Sequence, residues 1–303
     1  MTDRPPTVLR HLGWRVEALG YDLFSLILRR LPVDTASWLG GAAIERLGPL
    51  TRRHRIVLRN LELAFPELSQ AERGRIALEH WNKIGRTFAE FPLMDRLTPK
   101  GGRVEVVGLD RLRDIADRGQ PAVLVSGHIS NWEVMMAVIA ESGVLCRTSY
   151  RPANNPYTDS RIVQNRRRYG LDQPSARGVQ GVRELLSALR HGESVAMLDD
   201  QRDSSGVEAP FFGRSVWTAP GPVRFALTCG APLIPMSVVR LDGARFRVTI
   251  HDPIVLERTG DRPGDIQAGV AQINAFIERT IRARPAEWMW SHRRWPLNCY
   301  ADL

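Results

Sequence analysis

Two residues in one short stretch are equipped for proton transfer. The stretch is Gln120-Pro-Ala-Val-Leu-Val-Ser-Gly-His-Ile-Ser-Asn-Trp-Glu133, and within it His128 lies five positions before Glu133. An imidazole serves as a general base when a carboxylate fixes its tautomer and stabilises the imidazolium it becomes. Five residues turn a regular helix by about 140°, so the two side chains share no helical face. They converge only if His128 sits in a turn and Glu133 in the helix that follows. Taken alone, the pattern equally describes a histidine capping a loop and a glutamate favoured by a helix dipole.

The surrounding residues supply that turn. Residues 122–125 are apolar and rich in valine after Pro121, as a buried strand of a parallel sheet would be. Ser126-Gly127 breaks the run, and a helix is expected from Ser130 or Asn131, with Glu133 in its first turn. His128 then lies between strand end and helix start, where open α/β sheets bind ligands.

Strands and helices alternate on both sides of this unit. Val104–Val107 reads as a strand, Leu109–Arg118 as a helix, residues 144–149 as a strand leading to Tyr150-Arg151-Pro152, and Ser194–Leu198 as a strand leading to Asp199-Asp200-Gln201. A helix opens at Gly178 and another covers residues 223–229. Leu233–Arg240 and residues 245–251 are the last strands, as a hairpin around Asp242-Gly243, and residues 265–284 form the final amphipathic helix. Such alternation predicts an α/β fold with a central, mostly parallel sheet flanked by helices.

Two helices are expected in residues 8–50. The first is amphipathic, with Arg10, Arg15, Arg29 and Arg30 around Leu12, Val16, Leu19, Leu23 and Leu26. It fits either a helix lying in a membrane interface or one packed on the main domain. It is too short and too charged for a confident span, which needs about 20 mostly apolar residues. Ser69 and Glu72 form a capping box for a helix over residues 69–91. The basic run Arg52 to Arg59 suits lipid phosphates, an acidic protein or plain solvent.

Ser126-Gly-His-Ile-Ser-Asn-Trp-Glu133 resembles the first block of the lysophospholipid acyltransferase superfamily, in particular the late, lauroyl/myristoyl-type acyltransferases of lipid A biosynthesis. The resemblance continues in the family's order through Asn60-Leu-Glu-Leu-Ala-Phe-Pro-Glu67, Tyr150-Arg-Pro-Ala-Asn-Asn-Pro156, Asp200-Gln201, Pro210-Phe-Phe-Gly213 and Trp288-Met-Trp-Ser-His-Arg-Arg-Trp295. It implies a glycerolipid acyltransferase-like fold with an N-terminal membrane-associating segment at residues 1–50 and an acyltransferase domain at residues 51–303. The implied reaction moves an acyl chain from a thioester, of acyl carrier protein or acyl-CoA, to a lipid hydroxyl. His128 would be the base and Glu133 its orienting partner, with direct transfer and no enzyme nucleophile. Arg151 would grip a phosphate or pair with Asp200. Asp200 would position Arg151 or the acceptor. Asn131 and Asn154 are candidates for contacting the acceptor, and Phe211 and Phe212 for lining an acyl groove or filling the core. The acyl thioester is a co-substrate, and no cofactor or metal is implied.

Composition narrows the rivals. At 303 residues, with 25% charged and 43% hydrophobic residues, the chain builds a large folded core. Its 42 basic against 33 acidic residues give a net charge of +9, which attracts anionic membrane, nucleic acid or acidic protein. Cys146, Cys229 and Cys299 are odd in number and scattered, so a reducing cytosolic compartment is expected, without a disulfide framework or zinc site. No Walker loop and no signal peptide are recognisable. The acceptor is expected to be a lipid A precursor, or else a lysophospholipid, glycolipid or aminolipid, on the cytoplasmic face of the inner membrane. A non-catalytic basic protein that binds membrane or nucleic acid is the remote alternative; the Arg runs lack the interleaved aromatics on which bases stack.

Overall fold

The structure, a computed structural model, describes residues 7–150, 152–171, 174–176 and 178–303. Four helices come first: α1 (Val8–Arg30), α2 (Val33–Leu47), α3 (Arg53–Ala64) and α4 (Gln70–Glu90). The capping box at the start of α4 forms as expected, Ser69 Oγ accepting from the Glu72 N–H at 3.3 Å and Glu72 accepting from the Ser69 N–H at 2.8 Å. Thereafter strands and helices alternate: β1 (Val104–Val107), α5 (Leu109–Arg118), β2 (Val123–Ser126), α6 (Glu133–Glu141), β3 (Cys146–Tyr150), α7 (Pro156–Arg167), β4 (Pro174–Ala176), α8 (Val179–Arg190) and β5 (Ser194–Leu198). The chain closes with β6 (Arg202–Phe211), β7 (Arg214–Thr218), α9 (Gly221–Cys229), β8 (Leu233–Arg240), β9 (Phe246–Ile250) and α10 (Arg262–Ala283).

Seven strands form one sheet in the order β1-β9-β8-β2-β5-β3-β4, and every pairing is parallel except that of β8 with β9. This is the α/β class expected from the alternation. β2 is central and wholly buried. Because side chains alternate along a strand, Val123 and Val125 join the core under α8, α9 and α10, while Leu124 joins the core under α5 and α6.

One element differs from the sequence reading. Residues 202–218 form an antiparallel hairpin, β6–β7, outside the main sheet, a pairing absent from the alternating pattern read in the sequence. Its turn is Phe212-Gly213, at φ +50° and +68°, a two-residue turn with both residues left-handed. Phenylalanine is an unusual first residue there, so the usual Asn-Gly signal is absent.

Among the described residues no helix is long and apolar enough to cross a membrane. α1 is fastened on one side by Arg29 to Asp95 at 2.7 Å and by Asp22 to Arg161 at 2.6 Å. On its other side Leu9, Leu12, Val16, Leu19, Leu23 and Leu26 are exposed at helical spacing.

Candidate active site

Parallel register brings the reactive side chains together. Ser126, the last residue of β2, lies level with Leu198, the last residue of β5. Two residues beyond each strand end stand His128 and Asp200, at the same edge of the sheet. Asp200 Oδ1 lies 2.6 Å from His128 Nδ1. Asp200 Oδ2 accepts the His128 backbone N–H at 2.7 Å and the Trp288 indole N–H at 2.7 Å. Gly127 makes this approach possible, since a Cβ there would stand 3.2 Å from Asp200 Oδ2, tighter than ordinary contact. Burial alone would raise the Asp200 carboxyl, but the charge and hydrogen bonds of His128, with the Trp288 bond, hold it well below the usual carboxylate range. An ionised carboxylate only accepts, so Nδ1 carries a proton, and in the neutral ring the lone pair is the one on Nε2.

His128 borders a cavity of about 440 Å³. Ser126, Asp199 and Gln201 supply its polar wall, and Leu124, Met135, Met136, Ile139, Leu171 and Met236 an apolar one. Trp132 also lines it and meets the His128 ring edge to face at 5.1 Å. Next to the dyad, the Asp199 carboxyl is pushed well above its ordinary range, by burial first and by the charge of Asp200, against the opposing pull of Arg294. An imidazole with a buried anionic partner, beside a cavity with one apolar wall, is equipped to deprotonate a hydroxyl next to an alkyl chain.

Glu133 is not the carboxylate that orients His128. Its side chain, at the start of α6, is bound by Arg166 of α7, one contact being 3.1 Å, and by the Tyr169 hydroxyl at 2.5 Å. The helix turns Glu133 toward α7, where a guanidinium answers its buried charge. Across the sheet, meanwhile, Asp200 arrives level with His128. Glu133 still lines the same cavity, as does Arg166, whose guanidinium lies 4.6 Å from the Tyr150 ring centroid. Asp200 accordingly binds His128, a different place from one beside the acceptor. Arg151 itself lies outside the described residues.

The remaining candidates are not gathered at the cavity. Asn131 is fully buried and donates to Glu90 Oε2 at 3.0 Å, so it ties the turn of His128 to α4 and does not line the cavity. Asn154 is exposed, and its neighbour Asn155 caps α7 by accepting the Tyr157 N–H at 3.0 Å. Phe211 and Phe212 pack 4.9 Å apart within a cluster of Trp288, Trp290 and Trp295. They fill the core under β6–β7, because their end of the hairpin folds back on α10, while Arg202, Asp203 and Ser204 at its start line the cavity. Arg294 is likewise structural: it is buried and donates to Trp217 O at 2.8 Å and Thr218 Oγ1 at 2.7 Å. Trp288 and Arg166 were missed as site residues. The Trp-rich stretch and the Arg run were visible, but nothing local shows that the first reaches Asp200, 88 positions away, and the second Glu133.

A sequence model of the bacterial lipid A biosynthesis acyltransferases matches residues 8–296. The chain belongs to that family. This acyltransferase is 28% identical to the lipid A biosynthesis lauroyltransferase of Escherichia coli (strain K12) over 97% of its own length and 96% of the relative's. It is 30% identical to the lipid A biosynthesis palmitoleoyltransferase of the same organism, over 88% and 86%. A phosphatidylinositol mannoside acyltransferase of Mycolicibacterium smegmatis is 26% identical, over 94% and 93%. The protein is therefore an enzyme, a lipid acyltransferase.

Proposed function

We propose that this acyltransferase moves a fatty acyl chain from the thioester of acyl carrier protein, or of acyl-CoA, directly to a hydroxyl of a lipid A precursor. The observation that carries the mechanism is the His128–Asp200 pair beside a cavity with an apolar wall. His128 Nε2 takes the proton as the acceptor oxygen attacks the thioester carbon. The tetrahedral oxyanion then collapses, the carbon–sulfur bond breaks, and the departing thiolate receives the proton from His128. Asp200 holds the tautomer and stabilises the imidazolium throughout. Glu133 acts through Arg166, fixing that guanidinium in the cavity wall.

Direct transfer accords with the thiols. None of the three cysteines borders the cavity, and burial pushes the Cys146 thiol up to about 12, so it is a poor nucleophile. The acyl thioester is a co-substrate, and the mechanism uses no cofactor. The exposed apolar stripe of α1 and the net charge of +9 suit a peripheral or monotopic protein on the cytoplasmic face of the inner membrane, held by anionic lipid.

The test is acyl transfer by purified enzyme from acyl carrier protein and from acyl-CoA to a panel of acceptors, with His128→Ala alongside. Transfer to a lipid A precursor that falls by about 10²-fold or more in the variant is the expected result. Transfer only to a mannosylated phosphatidylinositol, the acceptor in the name of the mycobacterial relative, keeps the mechanism and replaces the acceptor. Lipid binding without transfer to any acceptor refutes the catalytic reading.

A further inference from the structure

We infer that the segment following α10 is built into the catalytic centre, and that Trp288 is the positioning residue of the His128–Asp200 pair. The inference rests on the proposed role of that pair. Residues 287–289 run antiparallel to the catalytic turn: Ser130 N–H donates to Glu287 O at 2.7 Å, Met289 N–H donates to His128 O at 3.0 Å, and Ile129 bridges Trp288. The turn needs this support, because Ser130 is held at φ +52°, a left-handed conformation that is costly for serine.

From the same segment the Trp288 side chain reaches Asp200. It is 1% exposed and edge-packed by Trp290 at 4.6 Å and Phe211 at 5.8 Å, so the indole cannot swing. An indole N–H donates and never accepts. Together with the His128 backbone N–H it occupies Asp200 Oδ2, leaving Oδ1 for Nδ1 of the base. With the indole donor removed, only the His128 backbone N–H restrains Oδ2, and the carboxylate is held less tightly against rotation about its Cβ–Cγ bond. The base then loses its fixed orientation while the substrate cavity, which Trp288 does not line, is unchanged.

Trp288→Phe is compared with Trp295→Phe, which removes a buried indole from the same cluster, its ring centroid 6.3 Å from that of Trp288 and its N–H not donating to Asp200. The expected result is a kcat about 10-fold or more lower in Trp288→Phe with KM within about twofold, since a hydrogen bond to a charged group is lost. Trp295→Phe is expected to lose comparable thermal stability and keep its kcat. Should Trp288→Phe not fold, 3-benzothienylalanine at position 288 keeps the ring shape and replaces only the N–H by sulfur, and the same fall in kcat is expected. Unchanged kcat in a folded Trp288 variant, or equal kcat losses in both phenylalanine variants, overturns the inference. Full activity of His128→Ala would instead overturn the dyad on which it rests.

Discussion

Replacing Asp200 by asparagine separates the two carboxylates that compete for the role of orienting His128. The side chain keeps its size, and the surrounding donors dictate how the amide sits. Oδ2 faces two fixed donors at 2.7 Å, the His128 backbone N–H and the Trp288 indole, so the amide oxygen must occupy that place. The amide nitrogen is then left 2.6 Å from Nδ1, where it can only donate. Nδ1 becomes the acceptor, the ring proton moves to Nε2, and the lone pair that takes the substrate proton is lost. The fold keeps its shape while the base takes the wrong tautomer, an effect of about 10²- to 10⁴-fold in kcat. Steady-state transfer from acyl carrier protein, with circular dichroism as the check on folding, measures it. Glu133→Gln is the comparison: it weakens the grip on Arg166 and leaves the His128 tautomer alone, so its kcat should fall less than that of Asp200→Asn. A folded Asp200→Asn enzyme within a few-fold of wild-type kcat, beside an inactive Glu133→Gln, would refute the reasoning and return the orienting role to Glu133.

Two further outcomes concern stability. Glu90 is fully buried and accepts from both Arg240 guanidinium nitrogens, from Ser37 Oγ at 2.6 Å and from Asn131 Nδ2 at 3.0 Å. Glu90→Gln leaves a buried guanidinium without its counter-charge, at a cost of about 3–5 kcal/mol, so thermal unfolding should show a Tm lower by on the order of 10 °C; a loss below about 2 °C contradicts this. Burial pushes the His80 imidazole down to about 3, so the folded protein keeps it neutral while the unfolded chain protonates it below about 6.5. The unfolded state then binds more protons as pH falls, so this residue removes stability from about pH 6.5 down to about 3, by up to roughly 1.4 kcal/mol per pH unit. Urea unfolding of wild type and His80→Leu at pH 7 and 5 should show the shallower pH dependence in the variant, and equal dependence would refute it.

Much of the fold was legible because its signals are local. The apolar run of β2, the break at Ser126-Gly127 and the capping box of Ser69 and Glu72 each depend on neighbours within a few positions, and β1, α5, β5 and β8 lie at their expected boundaries. The β6–β7 hairpin was not legible, since its turn is set by Phe212 in a left-handed conformation that packing against Trp290 and Trp295 supports.

The site divides along the same line. His128 as the base candidate follows from a strand, a turn and a helix written consecutively in the chain. Its partner does not, because proximity in sequence favours Glu133 while proximity in space depends on which strand lies beside β2. The parallel register of β2 with β5 sets His128 level with Asp200, and the return of the chain after α10 brings Trp288 to the same carboxylate. Residue types along the chain thus specify the candidate base, the family resemblance and the alternating elements. The choice of carboxylate, the clamp of Arg166 on Glu133 and the shape of the cavity arise from contacts across 33 to 88 positions, which no local pattern encodes.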